Sequence, residues 1–228
     1  MKNPEMMKRY TMFLTGVIAS ALGIGLITKA GLGTSPVTSL AFVLTFVFPK
    51  SLGTFTMIVN TVMFFMQAAI IGKGFEKIQL LQLPSALLFS ACIDGWMRLF
   101  SFWQVHSYVG SVVMLFIGCT FLGLGIALEV IPNVLILPGE GLVRAIVHRT
   151  GFQFGHVKTS FDLSLVCAAI LLSIFCKGRI LGVREGTVAA ALVVGSISHF
   201  FIRHLTAVMD GKKVVAKAHN LVPENGEE

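Results

Sequence analysis

Charge is scarce in this chain. Asp, Glu, Lys and Arg make up 13% of its 228 residues, about half the ~25% of a soluble domain, and this excludes a water-soluble globule. Catalytic signatures are missing too: the chain has no GxSxG elbow, no HExxH pair and no phosphate-binding GxxxxGK. Cysteine is sparse, and Cys92, Cys119, Cys167 and Cys176 show no metal-ligand spacing; they read as small packing residues in or beside apolar runs. No enzymatic activity, metal site or cofactor is therefore expected. The dyad-alternating segments of about 10 residues that build a membrane β-barrel are absent as well.

What is present is apolar. Hydrophobic residues make up 55% of the chain and the mean hydropathy is +0.83. Runs of about 20 apolar residues recur along it, each long enough to cross a hydrocarbon core roughly 30 Å thick. The expected fold is an all-α polytopic membrane protein with spans near 11–30, 54–72, 80–101, 109–130, 157–176 and 185–206. Two shorter pieces, Val37 to Phe48 and Gly141 to Thr150, are too short to cross unaided and read as broken or re-entrant helices. The first run is too long for a signal-peptide core and lacks a small-x-small cleavage site, so it is expected to stay as the first helix.

The formal charge of +7 comes mainly from Lys2, Lys8 and Arg9 near the start and Arg203, Lys212, Lys213 and Lys217 near the end. Basic clusters beside membrane helices mark cytoplasmic ends, so both termini are read as cytoplasmic and nucleic acid is not an expected partner. Residues 1–10 form the cytoplasmic N-terminus in this reading. A partly disordered cytoplasmic tail occupies 207–228, where the sequence turns polar without periodicity.

Between these ends lies an internal repeat, 11–101 and 109–206, joined by a linker at 102–108. Leu22-Gly23-Ile24-Gly25-Leu26 returns as Leu124-Gly125-Ile126-Ala127-Leu128, Leu52-Gly53 as Phe154-Gly155, and Asn60 falls opposite Asp162. Each half reads as span, broken loop, short helix, span, span. Three crossings per half place the second copy upside down, a recurring plan among transporters.

Polar residues concentrate where that plan predicts a site. The first break, Lys29 to Pro36, has Gly33 to free the backbone, Thr34 or Ser35 to cap a helix and Pro36 to open it. Open amides at a helix start suit an anion or a carboxylate; a plain tight loop is the alternative. The second break, Pro132 to Gly141, puts Glu140 beside Gly141 at a helix start, with Arg144 one turn on, where the two either neutralise each other or form a polar site. Inside the spans lie Asp94, Glu129 and Asp162, with Lys158 four residues before Asp162. A central Asp or Lys costs roughly 2.5–3.5 kcal/mol on insertion scales, so such groups face a partner or a wet cavity. Arg184 and Glu185 open the last span, where Glu185 and Thr187 suit capping or ligand contact. The candidate solute contacts are thus Gly33, Thr34, Ser35, Glu140, Gly141 and Arg144. The candidate proton or ion carriers and their partners are Asp94, Glu129, Lys158, Asp162, Arg184 and Glu185.

Taken together, Thr28 to Pro36, Ile93-Asp94, Leu128-Glu129-Val130, Leu137 to Leu142, Phe154 to Lys158 with Phe161-Asp162, and Gly182 to Thr187 resemble the pattern of the bacterial YczE/YyaS/YitT-type integral membrane proteins over residues 8–206. The resemblance implies a bacterial cytoplasmic membrane and a compact multispan fold, and supplies no substrate. The expected function is a transporter or permease for a small polar or anionic solute, alone or as a homodimer in the bilayer. The alternative is a non-transporting sensor or scaffold acting through a cytoplasmic partner.

Overall fold

The computed structural model describes residues 4–209 apart from 104 and 106; the tail expected beyond 209 lies outside the described residues. Eight α-helices follow in order: α1 Pro4–Lys29, α2 Pro36–Val47, α3 Leu52–Ile71, α4 Gln82–Leu99, α5 Tyr108–Val130, α6 Pro138–Thr150, α7 Phe154–Lys177 and α8 Glu185–Met209. Two 3-10 turns, Gly72–Gly74 and Lys77–Leu81, join α3 to α4. There is no strand among the described residues, as expected where each backbone amide must be satisfied without water.

Among the described residues six helices are long and apolar enough to cross a membrane: Met6–Lys29, Leu52–Ile71, Lys77–Leu99, Tyr108–Val130, Gly155–Lys177 and Glu185–Thr206. The short α2 and α6 have 12 and 13 residues, about 18–20 Å at 1.5 Å per residue. Both open with proline at the first turn, where its missing N–H costs no helical hydrogen bond. Pro36 and Pro138, and likewise Leu52 and Phe154, which open α2 and α6 and then α3 and α7, lie 102 positions apart.

The centre of the molecule is the crossing of α1 and α5. Gly16 lies against the carbonyl of Gly125, Gly125 against Ser20, and Gly23 against the carbonyl of Gly118 and the amide of Leu122. Small residues let two backbones touch, which is how helices gain packing energy in lipid, where burying apolar area confers no advantage. Phe13, Val17, Ile24, Ile27, Leu115 and Cys119 fill the flanks of this seam. Around it α2 packs on α7 and α3 on α6. Met63, Leu142 and Leu165 form a small core that holds α6 between α3 and α7. The starts of both short helices are therefore covered by protein, while α6 ends exposed at His148 to Thr150; cover by protein is the condition under which interrupted backbone is tolerated in a bilayer.

Candidate functional site

The site forms at the start of α6. Leu137 is its N-cap in extended conformation and contributes no side-chain cap bond, which leaves the first-turn amides of α6 without that cover. Glu140 stands in this first turn, where the helix dipole favours negative charge. From α7, Lys158 approaches Glu140 at 3.8 Å and donates a 2.8 Å hydrogen bond from Nζ to Oδ1 of Asp162, one turn further on. Lys158 is thus shared by two carboxylates. The side chains are 21% exposed for Lys158 and 14% for each carboxylate, so the group is mostly withdrawn from solvent.

Glu140 is also the electrostatic hub of a wider cluster, because its charge acts on Glu129, Arg144, Lys158 and Asp162. Three carboxyl groups, Glu140 among them, and two cations are gathered here. Glu129, near the end of α5, is buried at 4% exposure and accepts a 2.6 Å hydrogen bond from Oγ of Ser20, beside Gly16. It therefore sits inside the α1–α5 seam while sensing the charge on α6. The α6 start also meets the α2 start: a Cβ placed on Gly139 would lie 3.5 Å from Cγ1 of Val37. The positive ends of the two short helices converge here. On the adjacent flank, Gly141 lies against the side-chain amide of Gln67 on α3.

The first break is built differently. Gly33 has φ +121°, and a Cβ there would collide with Oγ1 and the amide of Thr187, so glycine is required by conformation and by space. Thr34 and Ser35 are buried and already bonded. Oγ1 of Thr34 pairs with Oγ1 of Thr28 at 3.0 Å and of Thr38 at 2.9 Å, and Oγ of Ser35 with Oγ1 of Thr38 at 2.8 Å. The amide of Thr34 donates to Oγ1 of Thr187 at 3.1 Å, and the amide of Gly186 to the carbonyl of Leu32 at 2.8 Å. Arg184 adds a 3.0 Å bond to the carbonyl of Gly31 and an exposed 3.4 Å contact with Glu185. The hydroxyls singled out at this break are thus bonded within it, and its backbone is stapled to the start of α8. Ser35 makes no side-chain cap bond to α2, and Thr187 serves the break rather than its own helix.

Asp94 stands apart from both groups. Its carboxylate accepts from Oγ of Ser51 at 2.6 Å and from the amide of Gly53 at 2.7 Å, so it anchors the first turn of α3 to α4. Asp94→Ala removes a charge-assisted pair of bonds and is expected to destabilise by about 1–2 kcal/mol, read as a lower melting temperature in detergent.

Several residues in these arrangements carry no local signature. Thr38 and Thr28 complete the hydroxyl chain at the first break, Ser20 holds Glu129, and Gln67 abuts Gly141. For Ser20 and Gln67 the signal is an isolated polar residue in an apolar run, whereas Thr28 and Thr38 stand beside Lys29 and Ser39. Glu140 and Arg144, four apart, share a helix face, yet the ion pair of Glu140 is with Lys158 on the next helix.

A polytopic α-helical membrane protein, with two short interior helices and a charge cluster where they meet, is the class that this fold and site define. The chain belongs to a family of unknown function, DUF6198, whose pattern matches residues 7–203. It is similar to the uncharacterized membrane protein YczE of Bacillus subtilis (strain 168), 25% identical over 201 residues that cover 86% of each chain. No solved structure matches it.

Proposed function

We propose that this protein is a secondary transporter of a small polar or anionic solute, working by alternating access in a bacterial cytoplasmic membrane with both termini inside. The observation that carries the reading is the meeting of the two short helix starts at Val37 and Gly139, next to a lysine shared by Glu140 and Asp162. Discontinuous helices with their positive ends at a central site are a recurring solution for solute binding in a bilayer. Lys158 and the two helix starts supply the attraction for an anionic group. Glu140, 3.8 Å from Lys158, orients the ammonium toward the helix starts, so the solute contact depends on it.

The order of elements supports an origin by duplication. Long, short, long, long occurs twice, and the packing of α2 on α7 mirrors that of α6 on α3. At the same 102-residue interval Thr38 matches Glu140, Thr56 matches Lys158 and Asn60 matches Asp162. The first half thus carries neutral polar residues where the second carries the charges. With the termini inside, the stapled break at Gly31 to Pro36 faces outward and the Glu140 break faces inward. Breaking and remaking the Thr34–Thr187 and Gly186–Leu32 bonds is the corresponding outer closure. Lys158, Asp162 and Glu129 are the groups through which a proton or ion would be coupled.

The test is ligand-induced thermal stabilisation of the purified protein against anions, amino acids and small thiols, because a ligand bound to the folded state raises its apparent stability. A solute that stabilises the wild type is expected to lose its effect on Glu140→Gln, whose Lys158 keeps Asp162 as a partner and so keeps the fold. Stabilisation that survives the substitution, or no stabilising solute with well-folded protein, removes the reading; loss of phenotype on deleting the tail alone would then favour the scaffold.

A further inference from the structure

Among the described residues three buried side-chain oxygens have no hydrogen-bond partner, those of Gln67, Gln82 and Ser90, and of these Gln67 is the one that lies against the α6 start. It sits in the last two turns of α3, 3% exposed, and its Oε1 has no hydrogen-bond partner among the described residues. Its Nε2 donates to Oε1 of Gln79 at 3.4 Å, which holds the amide in place. Oε1 points at Gly141 in the first turn of α6: a Cβ there would overlap it. An orphaned buried acceptor is costly, and an apolar side chain of similar size would fill this place without that cost. Gly141, having no Cβ, is what lets this oxygen lie against the α6 start.

Resting on the transport reading above, we infer that Gln67 is a solute-contacting residue and that the solute is a carboxylate carrying an N–H or O–H donor close to the acid, as in a hydroxy acid or an amino acid. The carboxylate goes to Lys158 and the helix starts. The donor goes to Oε1 of Gln67 on the neighbouring flank of the same helical turn. A site that hydrogen-bonds a solute donor discriminates strongly against the analogue lacking it, because the site's own polar atom is then left unpaired.

The experiment compares matched pairs on the full-length protein in detergent: glycolate with acetate, lactate with propionate, malate with succinate, and alanine with propionate. Affinity is read by thermal shift and by calorimetry for the wild type and Gln67→Met. The wild type is expected to prefer the donor-bearing member of at least one pair by ten-fold or more. Gln67→Met is expected to bring that ratio near one while still binding the plain carboxylate, and to melt no lower than the wild type. Equal binding of both members by the wild type overturns the inference and leaves the transport reading standing. So does a preference that Gln67→Met retains, which would make the partner of Oε1 an ordered water only. No binding by any member of the panel removes both. If Gln67→Met does not fold, Gln67→Glu serves as the second variant: it keeps an acceptor, and the preference is expected to survive in it.

Discussion

Lys158→Met is expected to destabilise the protein by about 3–5 kcal/mol, the cost of removing one partner of a buried ionic group and leaving the other uncompensated. The reason is the sharing of one ammonium by two carboxylates, Glu140 at 3.8 Å and Asp162 at 2.8 Å, with Glu129 a third acid within electrostatic reach of Glu140. Glu140 and Asp162 would then lose the ammonium they share, with Arg144 the cation left near Glu140. The triple variant Lys158→Met, Glu140→Gln, Asp162→Asn is expected to recover most of the loss, since replacing a whole buried ionic group by neutral residues is often close to neutral. Melting temperature in detergent decides it: an unchanged value for Lys158→Met would mean that the three side chains do not form one ionic group.

Gly23→Leu is the second large effect. A Cβ at Gly23 would lie 2.5 Å from the amide nitrogen of Leu122 and 2.7 Å from the carbonyl oxygen of Gly118. Both are backbone atoms of α5, so no rotamer change relieves the overlap and α1 must move away from α5. Overpacking costs typically 1–3 kcal/mol and occasionally more. Here it also opens the seam that holds Glu129 to Ser20, so about 3 kcal/mol or more is expected, read as loss of monodisperse protein after extraction. Gly95→Leu is the control, because nothing lies within 4 Å of a Cβ at that exposed position. Equal recovery of both variants would contradict the close crossing.

The spans were legible in the sequence because lipid imposes one length on every crossing element, and runs of about 20 apolar residues have few other uses. The six expected spans and the six long helices agree to within about five residues at each end. The start of α6 was not placed as well: the expected helix opens at Gly141, whereas Pro138 already occupies its first turn, as its fixed φ suits. The partner of Glu140 was hidden for a different reason. Arg144, four residues away, is a neighbour that periodicity alone reveals, but Lys158 reaches Glu140 only because α6 packs on α7. At the first break the sequence suggested open amides, yet Thr187 arrives from 153 positions away to occupy one of them. Gln67 reads in the sequence as one polar residue among apolar neighbours, and only its burial against Gly141 distinguishes it.

The most direct test of a transport site at the start of α6 is solute counterflow in proteoliposomes, using a solute that stabilises the purified protein. Wild-type vesicles are expected to accumulate labelled solute in a saturable way, and Glu140→Gln vesicles to remain at the level of protein-free liposomes. Equal uptake by the two proteins, or none by folded and reconstituted wild type, would contradict the account.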